Sequence, residues 1–382
     1  EGSVLRADGR VRITAQLLEV APERHLWAEN YERDLRDVLA LQSEVARAIA
    51  QQIKVKLTSQ EQTRLASARP VNPAAHEAYL RGRAWLHSLT EGSIKKAFDQ
   101  FQIALQKDPN YAPAWAGLAR CYVLGNFMGV NPQEAVPKAK EAAAKAIELD
   151  EQGIEAHLAL ASVLLFYGWE WVRAEQEIRR VLAFNPNETE AYSLLGTVLV
   201  VVGRTEEAIS AHMRAVSLDP LSVNASVSLG RAYYFARRYD EAVEQLRKAI
   251  DLNPNDRWGH FFLAITYEQQ EKFDDFAREL ARAMALGPNP DYIKLSEEIP
   301  KAYAQGSHAE VLRIWEKSWE PYAARSRAQA SSMAILYARL GEKERAMNWL
   351  ERAFRERSRA IIYVKVEPQL DGLRSDPRFQ AL

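Results

Sequence analysis

The chain has 382 residues, of which 47% are hydrophobic and 26% are charged, and its formal net charge is -1. This balance argues against a nucleic-acid footprint in the chain, and no run of about 18 apolar residues is present that would span a membrane. The single cysteine, Cys121, excludes an internal disulfide framework and is expected to fill a small packing site rather than act as a nucleophile. The first residues, Glu1-Gly2-Ser3, are neither a start nor a signal peptide, which predicts a fragment of a longer protein.

Residues 1–70 are expected to form a small α/β segment. The stretch VLRADGRVRITAQL, residues 4–17, alternates apolar and polar residues around Asp8-Gly9, which predicts a β-hairpin. Residues 25–31, HLWAENY, fit a third strand, and residues 38–57 fit a helix. Because two or three strands and one helix do not easily close a core, the remaining strands are expected upstream of this chain.

The positions of four prolines indicate an internal sequence repeat. They close similar FNP, LDP, LNP and LGP motifs at one constant spacing along the chain: Pro186, Pro220, Pro254 and Pro288. Small residues recur at matching places within the units: Gly196, Ala208 and Ala215, then Gly230, Ala242 and Ala249, then Ala264 and Ala283. A fixed period of this length is typical of solenoids, in which each repeat is one supersecondary unit.

Each unit is expected to be a pair of amphipathic helices. Apolar residues at i, i+3, i+4 and i+7 predict one helix on either side of a short turn, such as residues 236–240. Small residues where the helices cross let the backbones approach, and Tyr233 or Leu246 is expected to fill the space beside Gly230. The closing proline lacks the N–H needed to continue a helix, so each pair ends there.

Less regular copies extend the array in both directions. They cover residues 76–111, 112–153, 154–188 and 327–360, whereas residues 291–326 are helical but degenerate. The unit at 112–153 carries extra residues near GNFMGVNPQ, between its two helices. We therefore expect about seven to eight helix pairs over residues 71–363, followed by a C-terminal capping segment at residues 364–382.

The repeat register is that of the tetratricopeptide repeat (TPR). The stretches LGRAYYFARRYDEAVEQLRKAI and FYGWEWVRAEQEIRRVLAFNP, with the closing LRSDPRFQAL, resemble the TPR arrays that follow a TolB-like (FlgO-like) domain in bacterial multidomain proteins. EGSVLRADGRVRITAQLLEV with HLWAENYERDLRDVLALQSEVARAIA resembles the end of that domain. The expected fold is mainly α, a right-handed TPR superhelical solenoid preceded by a small truncated α/β segment.

The resemblance also implies what the parent protein does. In that family the upstream part is a CadC-type winged-helix DNA-binding domain, a class III adenylate cyclase or a serine/threonine kinase, often with a membrane span between. The array is then implied to be a cytoplasmic or periplasmic region of such a protein.

Motifs for catalysis are absent from the sequence, which contains no GxxxxGK(S/T), GxGxxG, HExxH or GxSxG. His157 and His260 occupy the fourth position of their repeats, and without a second ligand at i+3 or i+4 they are expected to pack rather than to bind metal. Trp169 and Trp171, in a turn one residue longer than the others, fit a packing wedge or a ligand platform. We expect no catalytic residue, no metal site and no cofactor.

The first helix of each pair is expected to line a concave groove. Its groove positions carry large apolar side chains, which are exposed unless something covers them. These groove residues are Leu158, Phe166, Leu194, Val201, Val227, Arg231, Tyr234, Phe235, Trp258, Phe261, Phe262 and Ile265. Two kinds of cover are open: a partner segment, as an extended peptide or amphipathic helix, or the chain's own tail or another copy of it. The groove lacks the lysine and asparagine pattern of arrays that clamp a C-terminal carboxylate, which disfavours chaperone-tail binding.

Three functions from different classes follow. The leading one is a non-catalytic protein-interaction scaffold, the sensory or regulatory region of a larger bacterial signalling or transcription-regulatory protein, whose partner is a protein or peptide segment. The second is a self-association element that uses the groove or an exposed β-edge. The third, an enzyme or small-molecule sensor, has its best pocket between the insertion at residues 125–133 and Trp169. Nucleic-acid binding and membrane insertion are not expected of this chain.

Overall fold

The structure is a computed structural model, and it describes residues 2–7, 10–20, 23–34, 38–52, 71–86, 91–124, 132–287, 290–323 and 329–382. Internal contacts divide the chain into two compact units, residues 1–118 and 119–382. The predicted hairpin turn at Asp8-Gly9, the end of the first predicted helix at residues 53–57, and residues 125–131 of the insertion lie outside the described ranges. The predicted boundaries at residues 70 and 363 stay predictions.

The first unit opens with a three-stranded antiparallel sheet and one helix. The strands β1 (Gly2–Ala7), β2 (Arg10–Val20) and β3 (Glu23–Asp34) are hydrogen-bonded in sequence order, so the predicted third strand is present and longer than residues 25–31. Helix α1 (Val38–Gln52) packs on β2 and β3. The small core comprises Val11, Ala15, Tyr31 and Leu41, with Ile13, Trp27, Val45 and Ala48 beside it.

The first helix pair is α2 (Pro73–Leu86) and α3 (Glu91–Lys107). Its centre is the ring of Phe101, which is completely buried. A Cβ atom placed on Gly82 or Gly117 would come within 2.6 Å of that ring, so both glycines make room for Phe101.

The remaining helices follow one another along the chain as successive pairs. They are α4 (Ala112–Val123), α5 (Pro132–Leu149), α6 (Ile154–Val163), α7 (Trp171–Phe184), α8 (Thr189–Val201), α9 (Thr205–Leu218), α10 (Val223–Phe235), α11 (Tyr239–Leu252), α12 (Arg257–Gln269), α13 (Phe273–Ala285), α14 (Pro290–Gln305), α15 (His308–Ala323), α16 (Ala330–Arg339) and α17 (Lys343–Arg355). Helix α6 continues as a π-helical turn, Leu164–Gly168. Two 3-10 turns, Arg359–Tyr363 and Pro368–Leu373, and a short helix α18 (Pro377–Ala381) end the chain.

Close packing at the helix crossings follows the predicted pattern of small residues. A Cβ atom on Gly230 would lie 2.6 Å from Cγ of Leu246, so Leu246, of the two predicted side chains, fills that space. One repeat earlier, the ring of His212 occupies the same place beside Gly196, at 2.5 Å. An imidazole and an aliphatic side chain therefore fill the equivalent space beside the glycine in successive repeats.

In five of the described helix pairs, the turn between the two helices contains one residue in the left-handed region. That residue is glycine at Gly203 (φ 82°) and Gly341 (φ 76°), but Trp169 (φ 56°), Arg237 (φ 60°) and Glu271 (φ 59°) elsewhere. Asp240 and Glu241 lie in the first turn of α11, where the helix dipole stabilises negative charge. The fold is thus mainly α and of the TPR solenoid type, with a small sheet at its N-terminal end.

Candidate functional site

The groove residues lie on the first helices of four consecutive pairs, α6 with its π-helical turn, α8, α10 and α12. The repeat period aligns equivalent positions of neighbouring helices. Arg231, for example, donates a hydrogen bond at 3.5 Å to the hydroxyl of Thr197, which holds the equivalent place one repeat earlier. The repeat thereby brings side chains from separate helices into one continuous surface.

Most of the groove residues are covered in the structure. Seven are buried: Leu158, Phe166, Val201, Val227, Tyr234, Phe235 and Ile265. Leu194, Arg231, Phe261 and Phe262 are partly buried, and Trp258 alone of the twelve is exposed, at 49%. Part of the cover is the chain's own residues 357–373, which we call the C-terminal segment.

The aromatic centre of this cover is Tyr363. Its ring stacks on Phe235 with a centroid distance of 5.0 Å and an angle of 16° between the ring planes. The guanidinium of Arg231 lies 5.2 Å from the centre of the same ring and 5.7 Å from that of Phe262. A cation between aromatic faces is attracted by both rings, so Arg231 links the covered part of the groove to Phe262.

A buried hydrogen bond lies beside this stack. The hydroxyl of Tyr234, which is completely buried, donates to Oε1 of Glu367 at 2.6 Å across 133 residues of sequence. Burial raises the pKa of Glu367, although the hydrogen bonds from Tyr234 and from the backbone N–H of Gln369 act in the opposite direction. Burial and the adjacent Glu367 carboxyl also raise the pKa of Tyr234, which therefore stays protonated as the donor.

A second buried carboxyl, that of Glu268 in α12, accepts hydrogen bonds from three later parts of the chain. His308 donates to it at 2.6 Å, Nε of Arg339 at 2.9 Å, and the amide of Gln369 at 2.6 Å. Burial tends to raise the pKa of Glu268, but the Arg339 charge and the His308 hydrogen bond outweigh burial and lower it. Sequence reasoning missed this cluster, although a signal was present: Glu268 stands one repeat after Tyr234, at a place where the repeat has an uncharged side chain.

The start of the C-terminal segment reaches the π-helical turn after α6. Arg357 donates to the backbone carbonyl of Tyr167 at 2.6 Å, and its guanidinium lies 4.8 Å from the centre of the Trp169 ring. Phe354 contacts the same indole with a centroid distance of 4.9 Å, and Arg359 lies 4.1 Å over Phe166. Of its two predicted roles, Trp169 has packing contacts consistent with a wedge.

The part of the groove that stays open is formed by Trp258, Phe261 and Phe262, which we call the aromatic patch. Their rings contact one another with centroid distances between 5.6 and 6.4 Å. Phe261 also meets Trp315 edge to face, and Arg257 lies 5.2 Å over Trp258. Because half of the Trp258 side chain faces solvent, the patch offers a large apolar group next to a cation.

The titratable groups singled out in the sequence have structural partners. Nδ1 of His260 lies 2.7 Å from the Glu279 carboxylate and Nε2 lies 3.1 Å from the Pro254 carbonyl, and His157 is held in the same way by Glu177 and a backbone carbonyl. Burial raises the pKa of the Cys121 thiol to about 12, which keeps it protonated and unreactive. Within the described ranges no group of three or more His, Cys, Asp or Glu is placed to hold a metal ion.

Among the described residues, none of the helices combines the length and the apolar character needed to cross a membrane. The pocket predicted beside the insertion falls largely on residues outside the described ranges.

Comparison with known proteins matches residues 227–292 to the family model described as tetratricopeptide repeat. Putative adenylate cyclase 3 of Rhizobium meliloti is 34% identical over 180 residues, which is 46% of this chain and 30% of that protein. Transcriptional regulator HilA of Salmonella typhimurium is 29% identical over 142 residues, which is 37% of this chain and 26% of the regulator. The match therefore spans less than a third of the length of either relative.

Two solved structures are similar over most of the chain. A human IFIT1 dimer with PPP-AAAA has a TM-score of 0.50 at 17% identity and covers 69% of each chain. A monomeric IFIT1 mutant with Gppp-AAAA has a TM-score of 0.53 at 16% identity and covers 82% of this chain and 76% of its own. At such identities the likeness is one of fold, a TPR solenoid.

Proposed function

We propose that this chain is a non-catalytic protein-interaction scaffold that binds a peptide or protein segment in its concave groove. One observation carries the proposal: the groove already accommodates an irregular segment of polypeptide, the chain's own C-terminal segment. It does so by ring stacking at Phe235 and a buried hydrogen bond at Tyr234, which are means by which grooves hold peptide ligands.

The aromatic patch is the proposed entry point for the partner. Interface energy concentrates in a few aromatic and arginine side chains that lie together, and Trp258, Phe262 and Arg231 form such a group. Phe262 and the partly buried Leu194 occupy equivalent positions two repeats apart, so a bound segment would run from one to the other across α10.

The wider role we propose is regulatory. The relatives include a protein named an adenylate cyclase and one named a transcriptional regulator, and both match part of this chain while extending well beyond the match. We propose that this chain is likewise the sensory or regulatory region of a larger bacterial signalling protein. The resemblance of residues 1–70 to a TolB-like domain stays part of this proposal.

An unbiased peptide-display selection against the full chain tests the scaffold function. Trp258→Ala/Phe262→Ala is the variant, and Val172→Ala, which truncates an exposed side chain on α7, is the control. Selected peptides are expected to bind the wild type and the control alike and to lose about 30-fold or more in affinity for the variant, the effect of one interface hot spot of about 2 kcal/mol. Selections that yield no peptide, or only peptides indifferent to the variant, would refute the scaffold at this site.

Self-association is the second candidate, favoured by a different observation. Val4 and Leu5 of β1, an edge strand of the described sheet, are 69% and 61% exposed. Exposed apolar edge strands are templates for pairing with another chain. Light-scattering mass over a hundredfold concentration range tests self-association: a dimer that persists in Phe261→Glu/Phe262→Glu is consistent with pairing at β1, a dimer that dissociates in this variant places the contact in the groove instead, and a monomer throughout excludes self-association.

A further inference from the structure

The C-terminal segment contacts the rest of the chain in two chemically different ways. Its 3-10 turns pack on α16 and α17, and the first of them also packs on α8 and on the π-helical turn after α6. Four of their aliphatic side chains are at most 4% exposed: Ile361, Ile362, Leu370 and Leu373. Apolar burial of this kind, together with the packing on α16 and α17, joins the segment to the last repeat. The segment therefore belongs structurally to the end of the array.

Around α10 and α12 its contacts are of another kind, because they use aromatic, polar and charged groups. Tyr363 stacks on Phe235, the amide of Gln369 donates to Glu268, and Asp371 pairs with Arg237 at 2.8 Å. Both side chains of this ion pair are nearly half exposed, at 44% for Arg237 and 46% for Asp371, so solvent screens the attraction. Contacts of this composition are typical of parts of a chain that move relative to one another.

Glu367 is the clearest sign that this contact is poised to open. Its side chain is buried, yet its hydrogen-bond donors are neutral groups, the Tyr234 hydroxyl at 2.6 Å and the Gln369 backbone N–H at 3.2 Å. The nearby Glu268 carboxylate repels a charge on Glu367, and Arg339 attracts it. Burying a carboxylate without a directly bonded cation is costly, and an apolar side chain at this place would seal the groove more tightly.

We propose that the C-terminal segment is an internal ligand that occludes the groove, and that the partner replacing it presents an aromatic side chain and, four residues later, a carboxylate. This inference rests on the proposed function and names the partner class and the regulation of the same site. The spacing is that of Tyr363 and Glu367. Phe235 and Arg231 contact the ring of Tyr363, and the Tyr234 hydroxyl donates to the carboxylate of Glu367. A partner with these groups competes directly, and its apparent affinity falls with the fraction of molecules whose groove is occupied.

The test uses a labelled synthetic peptide of residues 357–373 added to the full chain. The release variant is Tyr363→Ala/Asp371→Lys, which removes the stack and turns the Arg237 ion pair into a repulsion while leaving the buried aliphatic side chains in place. Lys365→Ala, an exposed side chain on the same segment, is the matched control. Fluorescence anisotropy is expected to show at least tenfold tighter binding to the release variant than to the wild type or the control. A peptide with alanine in place of Tyr363 and Glu367 is expected not to bind.

Glu367→Gln provides a test in the opposite direction. It removes the buried charge while keeping the size of the side chain, so the segment is expected to hold more tightly and its amides to exchange with solvent more slowly than in the wild type. Unchanged or faster exchange would overturn the argument from Glu367.

Two further outcomes would overturn the inference. In one, the peptide binds the wild type and the release variant equally; in the other, a release variant with unchanged circular dichroism and melting temperature binds no peptide. If the release variant does not fold, the single Asp371→Lys change at its exposed pair is tested by the same criterion. If this test fails while the peptides selected by display still depend on Trp258, the C-terminal segment is not an internal ligand but the scaffold function stands. If both tests fail, the scaffold function is refuted as well.

Discussion

His212 offers the sharpest test of how the repeats are packed. The imidazole is buried, and neither ring nitrogen has a hydrogen-bond partner. Burial, with a smaller effect from the Arg231 charge, lowers the pKa of His212 from 6.5 to about 3. The next repeat has Leu246 at the equivalent place, so the chain itself shows which side chain fits beside the glycine.

We expect His212→Leu to stabilise the protein and to remove part of its acid sensitivity. Because the folded pKa is depressed, the unfolded chain binds a proton below about pH 6.5 that the folded chain does not, so stability falls as the pH drops. Each pH unit below 6.5 costs about 1.4 kcal/mol, so His212 destabilises the wild type by about 2 kcal/mol more at pH 5 than at pH 7. Losing the two unsatisfied nitrogens adds about 1 to 3 kcal/mol of stability at any pH.

Urea unfolding followed by circular dichroism at pH 7 and pH 5 measures both effects. The reciprocal change, Leu246→His, is the matched variant and is expected to lower stability and to steepen its fall with acid. If His212→Leu loses as much stability between pH 7 and pH 5 as the wild type does, the buried neutral imidazole is not the cause and the reasoning fails.

Three further predictions concern two substitutions that change the stability of the fold and the pKa of one histidine. Gly230→Ala should lower stability by about 1 to 3 kcal/mol in urea unfolding, because its Cβ would lie 2.6 Å from Cγ of Leu246. Glu271→Gly should raise stability by up to about 1 kcal/mol, because Glu271 has a φ of 59° that glycine adopts without strain. Burial lowers the pKa of His260, but the hydrogen bonds that its ring donates to the Glu279 carboxylate and to a backbone carbonyl raise it above 6.5. The stabilisation by His260 is therefore present below pH 6.5 and is lost as the pH rises through the raised pKa. NMR titration of His260 in the wild type and in Glu279→Gln, where the pKa should fall, measures that effect.

Each of these has a control or a contrary result. Gly372→Ala, where a new Cβ meets nothing within 4 Å, should leave stability unchanged. The reciprocal control for Glu271→Gly is Gly203→Ala, which places a Cβ on a residue with a φ of 82° and should lower stability. A His260 pKa that stays the same when Glu279 is neutralised would contradict the assigned cause.

The helices could be predicted from the sequence because their determinants are local. Gly230 and Leu246 lie on the two helices of one repeat, and the rule that relates them recurs with the period of the array, so the sequence predicted the close approach at Gly230 and named Leu246 as one of two side chains beside it. The groove positions followed from the same register. What the register could not predict was their exposure, since a period says which side chains share a face but not what lies over that face.

By itself, the sequence determined the TPR solenoid, the paired helices and the surface on which the groove residues lie, because short-range packing and a fixed period specify them. Only the tertiary structure decided that the groove is partly filled. Glu367 meets Tyr234 across 133 residues, Gln369 meets Glu268 across 101, and Arg357 meets the Tyr167 carbonyl across 190. These contacts join a non-repeating segment to single positions of the array, so no periodicity predicts them. They arise because the C-terminal segment lies over the groove of earlier repeats, where buried polar groups need partners.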